Sequence, residues 1–251
     1  MRDIEVGWAD CEEDVRQAQR LRYRVFAQEM GAQLAPAGAQ QGLDADRFDK
    51  HCDHLIVRAS GPGPPERGAA VGTYRVLSPA QARRAGGYYT DTEFDLAPLA
   101  PLRAGAVELG RSCVDIQWRR GGVIMAMWGA LAAYMQRRDL DTMIGCASVS
   151  LADGGAAAMA LWRRLAGLYM AEEQWHVRPL IPLSSVIDIE ALSAEATVAD
   201  APPLVKGYVR CGARLLGPPA LDKAFNTADL PMMLRIADMA PRYRKHFLGN
   251  T

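Results

Sequence analysis

The sequence predicts an α/β (α+β) fold, a mixed and mostly antiparallel sheet flanked by helices. Three observations lead there. A strand, a glycine turn and a helix follow one another between Ala106 and Arg138. Two apolar strands, His54 to Arg58 and Ala70 to Leu77, are joined by the turn GPGPPERG as an antiparallel pair. Strand and helix patterns continue to the end of the chain, and 251 residues at 49% hydrophobic and 23% charged can bury a substantial core.

Ile4 to Trp8 reads as a short first strand, and Glu12 to Met30 as a helix with Val15, Ala18, Leu21, Val25 and Phe26 on one side. Gly31 to Gly42 has the composition of a loop. The polar run LDADRFDKHCD leads straight into the strand at His54. Gln81 to Leu99 reads as a short helix and then an irregular stretch around Gly86, Gly87, Tyr88 and Tyr89.

Ala106 to Ile116 is expected to be a buried strand. Within its apolar run stand an acid and a base three residues apart, Glu108 and Arg111, groups that are costly to bury unless paired or used. Val123, Ile124, Met127, Trp128, Leu131 and Met135 then recur at helical spacing and give one apolar face. Ahead of them, Gly121 and Gly122 allow close backbone approach. A helix start presents unpaired N–H groups and the positive end of a dipole, so this turn reads as an anion cradle with Arg119 and Arg120 beside it.

Thr142 to Val149 reads as another buried strand, and Ala156 to Leu168 as a helix. Trp175 to Pro202 is loop-like. The expected organisation is a single domain over 1–251 with an insertion at about 152–202. Leu204 to Cys211 reads as a helix closed by Gly212. Strand patterns at Arg214 to Leu216 and Leu230 to Ile236 follow, then a basic tail, PRYRKHF.

Formal charge is zero, with 29 basic and 29 acidic residues, so bulk attraction to nucleic acid is excluded. Five widely spaced cysteines without a CxxC pair fit reduced thiols and a cytoplasmic protein. The acidic N-terminal stretch does not read as a signal peptide, and no apolar run approaches the length of a membrane span, which leaves peripheral lipid contact open. His51, Cys52, Asp53 and His54 resemble metal ligands. Neighbours at a strand start face alternate sides, however, so no metal is expected.

The order of these elements resembles the GNAT N-acyltransferase superfamily. Arg119-Arg120-Gly121-Gly122-Val123-Ile124 is similar to that family's acyl-donor loop, with Ile124 in place of its last small residue. Arg22-x-x-x-Phe26, Asp46-x-x-Asp49, Arg75 and Glu108-x-x-Arg111 resemble the acyl-homoserine lactone synthases. The tryptophan usual after that family's Arg-Phe helix is missing, and Leu34 stands there. LRYRVFAQEMG, FDKHCDHLIV, VGTYRVL, YYTDTEFDL, ELGRSCV, IGCAS, PPLVKGYVRCGA, FNTADL and RYRKHF together resemble the ornithine lipid acyltransferase family over nearly the whole chain.

The resemblance implies a sheet splayed at its middle near Cys113, Val114 and Asp115, admitting a pantetheine arm and offering a backbone N–H to an oxyanion. It implies transfer of a (3-hydroxy)fatty acyl group from acyl carrier protein, or from acyl-CoA, to the α-amine of an amino acid, ornithine above all. No cofactor is implied beyond that acyl-phosphopantetheine co-substrate. Glu108 is the expected base, with Arg111 counted beside it among the catalytic residues, the alternative being a structural ion pair between the two. Tyr208, four residues before Gly212, fits the position of the acid that protonates the leaving sulfur. Arg119, Arg120 and Lys206 would meet the carrier protein and phosphate.

Asp46 and Asp49 would hold a cationic acceptor side chain, beside Phe26, while Arg24 or Arg75 met its carboxylate. Cys146 is expected to be a packed thiol rather than a nucleophile. The competing readings are a homoserine lactone synthase-like or CoA-dependent transferase, and a non-catalytic acyl- or membrane-binding module suggested by 11 methionines and the basic tail.

Overall fold

The computed structural model describes residues 3–34, 36–59, 68–119, 122–185 and 201–249. In chain order the elements are β1 (Ile4–Trp8), α1 (Glu12–Tyr23), α2 (Pro36–Ala39), β2 (Asp53–Ala59), β3 (Ala70–Leu77), α3 (Pro79–Ala85), β4 (Phe94–Asp95) and β5 (Ala106–Val114). They continue with α4 (Val123–Arg137), β6 (Thr142–Ser150), α5 (Ala156–Tyr169), β7 (Arg178–Pro179), α6 (Pro203–Cys211), β8 (Arg214–Leu215), β9 (Ala220–Asp222), β10 (Thr227–Arg235) and α7 (Pro241–Leu248). They fall into two compact units: Met1–Gly86 with Leu109–Asp139, and Gly87–Glu108 with Leu140–Thr251.

In the first unit the strand order is β1-β2-β3-β5. The expected antiparallel pair is present: β2 and β3 match from Asp53↔Val76 to Arg58↔Ala70, with a bulge between Val57 and Arg58. Every residue of β3 is buried, as a strand with covered faces requires. At Gly72 the packing against α4 is close enough that an added Cβ would meet Val123 Cγ1 at 2.7 Å. Ser78 and Gln81 close a reciprocal capping box at the start of α3.

The helix expected over Glu12 to Met30 is α-helical only to Tyr23. Arg24–Glu29 widens into a π-helical segment, with the Met30 N–H bonded to the Val25 carbonyl at 3.1 Å. The predicted loop contains the turn α2, and most of GPGPPERG lies outside the described residues. β5 ends at Val114 rather than Ile116, because the Asp115 carboxylate caps a 3₁₀ turn over Ile116–Trp118.

In the second unit the order is β5-β6-β10-β8, with β9 also on β10. β5 contributes three parallel pairs to β6, Ala106↔Thr142, Val107↔Met143 and Glu108↔Ile144, where the ladder ends. β6 and β10 pair antiparallel from Thr142↔Arg235 to Ser150↔Thr227. Leu161 and Leu165 of α5, Val205 and Val209 of α6, and Leu230 and Met232 of β10 fill the core. β4 and β7 form a two-stranded pair of their own. Gly212 ends α6 at φ +114°, and a Cβ there would lie 2.4 Å from the Asp238 carbonyl oxygen, so only glycine fits this C-cap. The basic tail is helical, as α7.

Candidate active site

The first unit encloses a network of buried charge. α1 supplies Arg22, which is 0% exposed; β3 supplies Arg75, and β5 supplies Arg111. The segment between α2 and β2 supplies Asp44, Asp46 and Asp49. Arg22 Nε donates to Asp44 Oδ2 at 2.8 Å and its Nη2 to Asp49 Oδ2 at 2.8 Å. Arg75 Nη1 donates to Asp46 Oδ2 at 2.6 Å and to Asp49 Oδ1 at 3.3 Å. Arg111 lies 3.4 Å from both Asp44 Oδ2 and Asp46 Oδ2.

Burial alone would raise the Asp49 carboxyl, but Arg22 and Arg75 hold it well below the usual carboxylate range, and Arg75 and Arg111 lower Asp46 against the same opposition. Arg111 adopts φ +49°, a left-handed conformation that side chains rarely take. The strain is sustained by its two carboxylate contacts. His54, opposite Arg75 in the β2–β3 register, sets its Nε2 3.0 Å from the Asp49 carbonyl.

The sequence expectations thus meet in an unexpected way. Asp46, Asp49, Arg75 and Arg111 do come together, but the two carboxylates assigned to a cationic acceptor already face arginines of their own chain. Arg22 and Asp44 complete the set and were not singled out as site residues. The motif Arg22-x-x-x-Phe26, with Arg22 between Leu21 and Tyr23, was the available signal.

Elsewhere in this unit, Phe26 is buried and Arg24 lies 3.8 Å from Asp115. Cys113 is buried, and burial pushes its thiol up to about 12. The Asp115 N–H donates to the Val71 carbonyl. Arg119 Nε donates to the Val114 carbonyl at 3.0 Å, and its Nη2 pairs with Glu29. Gly122 is the N-cap of α4. Arg120 and Gly121 lie outside the described residues.

The second unit holds Glu108, the last paired residue of the β5–β6 ladder and 5% exposed. The Tyr89 N–H donates to its Oε2 at 2.7 Å, while the Thr90 N–H at 2.7 Å and the Thr90 hydroxyl at 2.5 Å donate to its Oε1. Tyr88, whose hydroxyl donates to the Ala106 carbonyl at 2.7 Å, fixes this segment against β5. The carboxylate is therefore held rigidly by three donors. Tyr208 stands on α6 beside the hydrophobic core, with Lys206 on the same helix.

Next to this segment lies a group that the sequence reading missed. Glu93, Cys146 of β6 and Asp229 of β10 bring one polar atom each to within 4.8 Å of one another. The Cys146 thiol reaches the Thr90 hydroxyl at 3.8 Å. Burial, with Asp229 and Asp222 nearby, pushes the Glu93 carboxyl up to about 9. Burial and Asp222 raise Asp229 as well. Burial, with Glu93 second, raises the Cys146 thiol well above its ordinary range. The cysteine is a protonated thiol, in keeping with a packed role.

In the second unit Glu108 thus ends a parallel ladder and Tyr208 precedes the C-cap glycine of α6, while in the first Gly122 caps the helix that follows β5. Residues 21–129 match the family described as an acetyltransferase (GNAT) domain. Among solved structures, the N-acyl amino acid synthase FeeM from uncultured soil microbes superposes with a TM-score of 0.55 at 11% identity, covering 95% of this chain and 93% of that one. The CoA-dependent acyl-homoserine lactone synthase BjaI gives 0.54 at 14% identity, covering 98% and 88%. The fold is that of the GNAT acyltransferases.

The L-ornithine N(alpha)-acyltransferase of Brucella abortus is 37% identical over 249 residues, covering 97% of this chain and 88% of the relative. That of Agrobacterium fabrum is 35% identical over 251 residues, covering 98% and 85%. The chain belongs to the L-ornithine N(alpha)-acyltransferase family and is an N-acyltransferase.

Proposed function

We propose that this protein transfers a 3-hydroxyacyl group from acyl carrier protein to the α-amine of L-ornithine, forming lyso-ornithine lipid. The observation that carries this reading is the extent of the similarity. It runs through both compact units, well beyond the matched GNAT region, at 37% identity.

The reaction requires a neutral amine, a stabilised oxyanion and a proton for the departing thiolate. Glu108, immobilised by Tyr89 and Thr90, takes the amine proton directly or through a water. The amine nitrogen adds to the thioester carbon, and the tetrahedral oxyanion accepts a hydrogen bond from the backbone N–H of Cys113 or Val114. As it collapses, the carbon–sulfur bond breaks, the Tyr208 hydroxyl gives its proton to the departing thiolate, and the proton that the nitrogen releases on becoming an amide restores the phenol.

Arg119 and Gly122 in the first unit and Lys206 in the second are assigned to the donor's phosphate and carrier. Arg120 and Gly121 belong to the same loop. Arg111, anchored by Asp44 and Asp46, keeps β5 in shape. The setting is the cytoplasm, supported by five free thiols. Among the described residues no helix is long and apolar enough to cross a membrane.

Purified protein incubated with 3-hydroxyacyl carrier protein or 3-hydroxyacyl-CoA and single amino acids, with products read by mass spectrometry, tests the reading. N-acyl ornithine formed from the carrier protein is expected, with Glu108→Gln and Tyr208→Phe lowering kcat by about 100-fold or more. Absence of any N-acyl amino acid overturns the function. Product from CoA alone overturns the donor assignment.

A further inference from the structure

We infer that Thr90 is a positioning residue for the reaction: its hydroxyl orients the Glu108 carboxylate and sets the pH from which that group can accept a proton. The inference rests on the proposed role of Glu108 as base and adds what tunes it.

The three donors to Glu108 differ in kind. Two are the backbone N–H groups of Tyr89 and Thr90, at 2.7 Å each, which any residue except proline would supply at those positions. The third is the Thr90 hydroxyl at 2.5 Å, which only a short hydroxyl side chain brings. It closes on the same oxygen, Oε1, as the N–H of its own residue, so one residue grips one end of the carboxylate from two directions. An O–H to carboxylate bond of this length is charge-assisted, and stronger than a bond between neutral groups.

The direction of this bond is fixed. A carboxylate only accepts, so the hydroxyl hydrogen points at Glu108 and the hydroxyl oxygen is left to accept. The Cys146 thiol on β6 donates to it at 3.8 Å. Burial, with Glu93, Asp229 and Glu108 nearby, keeps that thiol protonated, so its hydrogen is available. Thiol, hydroxyl and carboxylate thus form a one-way chain in which each donor strengthens the next. Thr90 keeps its own proton while Glu108 gains that of the amine.

The turn that carries Thr90 is held by contacts that do not involve Glu108. The Tyr88 hydroxyl donates to the Ala106 carbonyl at 2.7 Å, Asp91 Oδ2 accepts the Tyr88 N–H at 2.8 Å and Arg103 Nη1 at 3.1 Å, and the Thr92 hydroxyl donates to the Tyr89 carbonyl at 2.6 Å. Thr90 itself is buried, at 2% exposure, so bulk water does not compete for its hydroxyl. The titratable and charged groups around the pair are Arg103, matched to Asp91, and Cys146, Glu93 and Asp229, with Asp222 at 3.5 Å from the Tyr89 hydroxyl. All of them stay in place when the Thr90 hydroxyl is removed, so a shift between variants belongs to Glu108.

The test follows kcat/KM for ornithine against pH in full-length wild type, Thr90→Val and Thr90→Ser. Valine keeps the shape of the side chain and removes the hydroxyl. A carboxylate that loses a donor holds its proton more tightly, so the acid limb of the Thr90→Val profile is expected to move up by about one pH unit. Lost orientation is expected to lower its plateau kcat about 10-fold with KM for ornithine little changed. Thr90→Ser keeps limb and kcat near wild type. In a Glu108→Gln background, Thr90→Val is expected to change kcat by less than about twofold, because its effect runs through the carboxylate. Thr90→Ser and Thr90→Ala differ only in the oxygen, and that pair decides the matter should Thr90→Val fail to fold.

An acid limb that stays in place in Thr90→Val overturns the assignment while leaving the acyltransferase intact. A full 10-fold loss from Thr90→Val in the Glu108→Gln background does the same, since the residue then acts through packing. Glu108→Gln with wild-type kcat and an unaltered limb overturns the inference through the base on which it rests. Failure of the wild type to acylate any amino acid counts against the function itself.

Discussion

Arg22 shows what a single residue does for this fold. Its guanidinium is wholly buried and tied to Asp44 and Asp49. Removing one member of such a group strands the opposite charges away from water, which costs about 3–5 kcal/mol, far more than the net contribution of the intact pairs. Arg22→Ala is therefore expected to lower stability in urea melts by about that amount, and Arg22→Lys to recover only part of it because an ammonium cannot span both carboxylates as a fork does. The motif in which Arg22 stands was visible in the sequence. Its meaning was not, since nothing in LRYRVF shows which acids a turn of chain will carry to it.

Glu93 and Asp229 illustrate the same limit from the other side. Asp229 falls between Ala228 and Leu230 in a strand whose residues from Thr227 to Met233 are all buried. An acid in a buried run was the clue that drew notice to Glu108. Here it escaped because the apolar pattern sets the strand's start at Leu230, three residues late and just past Asp229.

At the scale of elements, the strands of four or more residues and the helices with apolar periodicity were legible. β2, β3, β6, α4, α5 and α6 begin and end close to their expected limits. β8, Arg214–Leu215, falls within the strand expected at Arg214 to Leu216, whereas β4 and β7, of two residues each, and β9, of three, are too short for any alternation to register. The π-helical widening at Arg24–Glu29 leaves no compositional mark either.

One element contact gives a sharp expectation. Gly72 lets β3 approach α4 so closely that a Cβ would fall 2.7 Å from Val123 Cγ1 and 3.4 Å from Met127 Sδ. Gly72→Ala overpacks this layer and is expected to cost about 1–3 kcal/mol, read as a lower thermal midpoint. A compensating Val123→Ala in the same chain should restore much of the loss. No recovery would show that the strain lies in the backbone of β3.

For the whole molecule, the two kinds of acid cluster give opposite pH dependences. Asp49 and Asp46 titrate below their ordinary range, so their stabilisation of the first unit is present above the unfolded-state value near 4 and is lost as pH falls through the lower folded values. Glu93 titrates near 9, above its unfolded value. The folded chain then binds more protons than the unfolded one between those limits, and stability of the second unit declines as pH rises through neutrality.

Urea melts from pH 4 to 9 should show the alkaline decline, and Glu93→Gln should flatten it while leaving the acid side unchanged. An alkaline limb that persists in Glu93→Gln would place its origin in another group. A formal charge of zero, which excluded nucleic acid as a partner, gave no hint of this asymmetry because paired and unpaired acids count alike in a sum.

The division of the chain also governs how it emerges from a ribosome. All the segments of the first unit, including Leu109–Asp139, are translated before β10, which begins at Thr227 and lies between β6 and β8. The nascent polypeptide can thus finish the charge network of the first unit early while β6 waits some eighty codons for its long antiparallel neighbour. During that interval an exposed strand edge is open to mispairing, and chaperone capture should concentrate there.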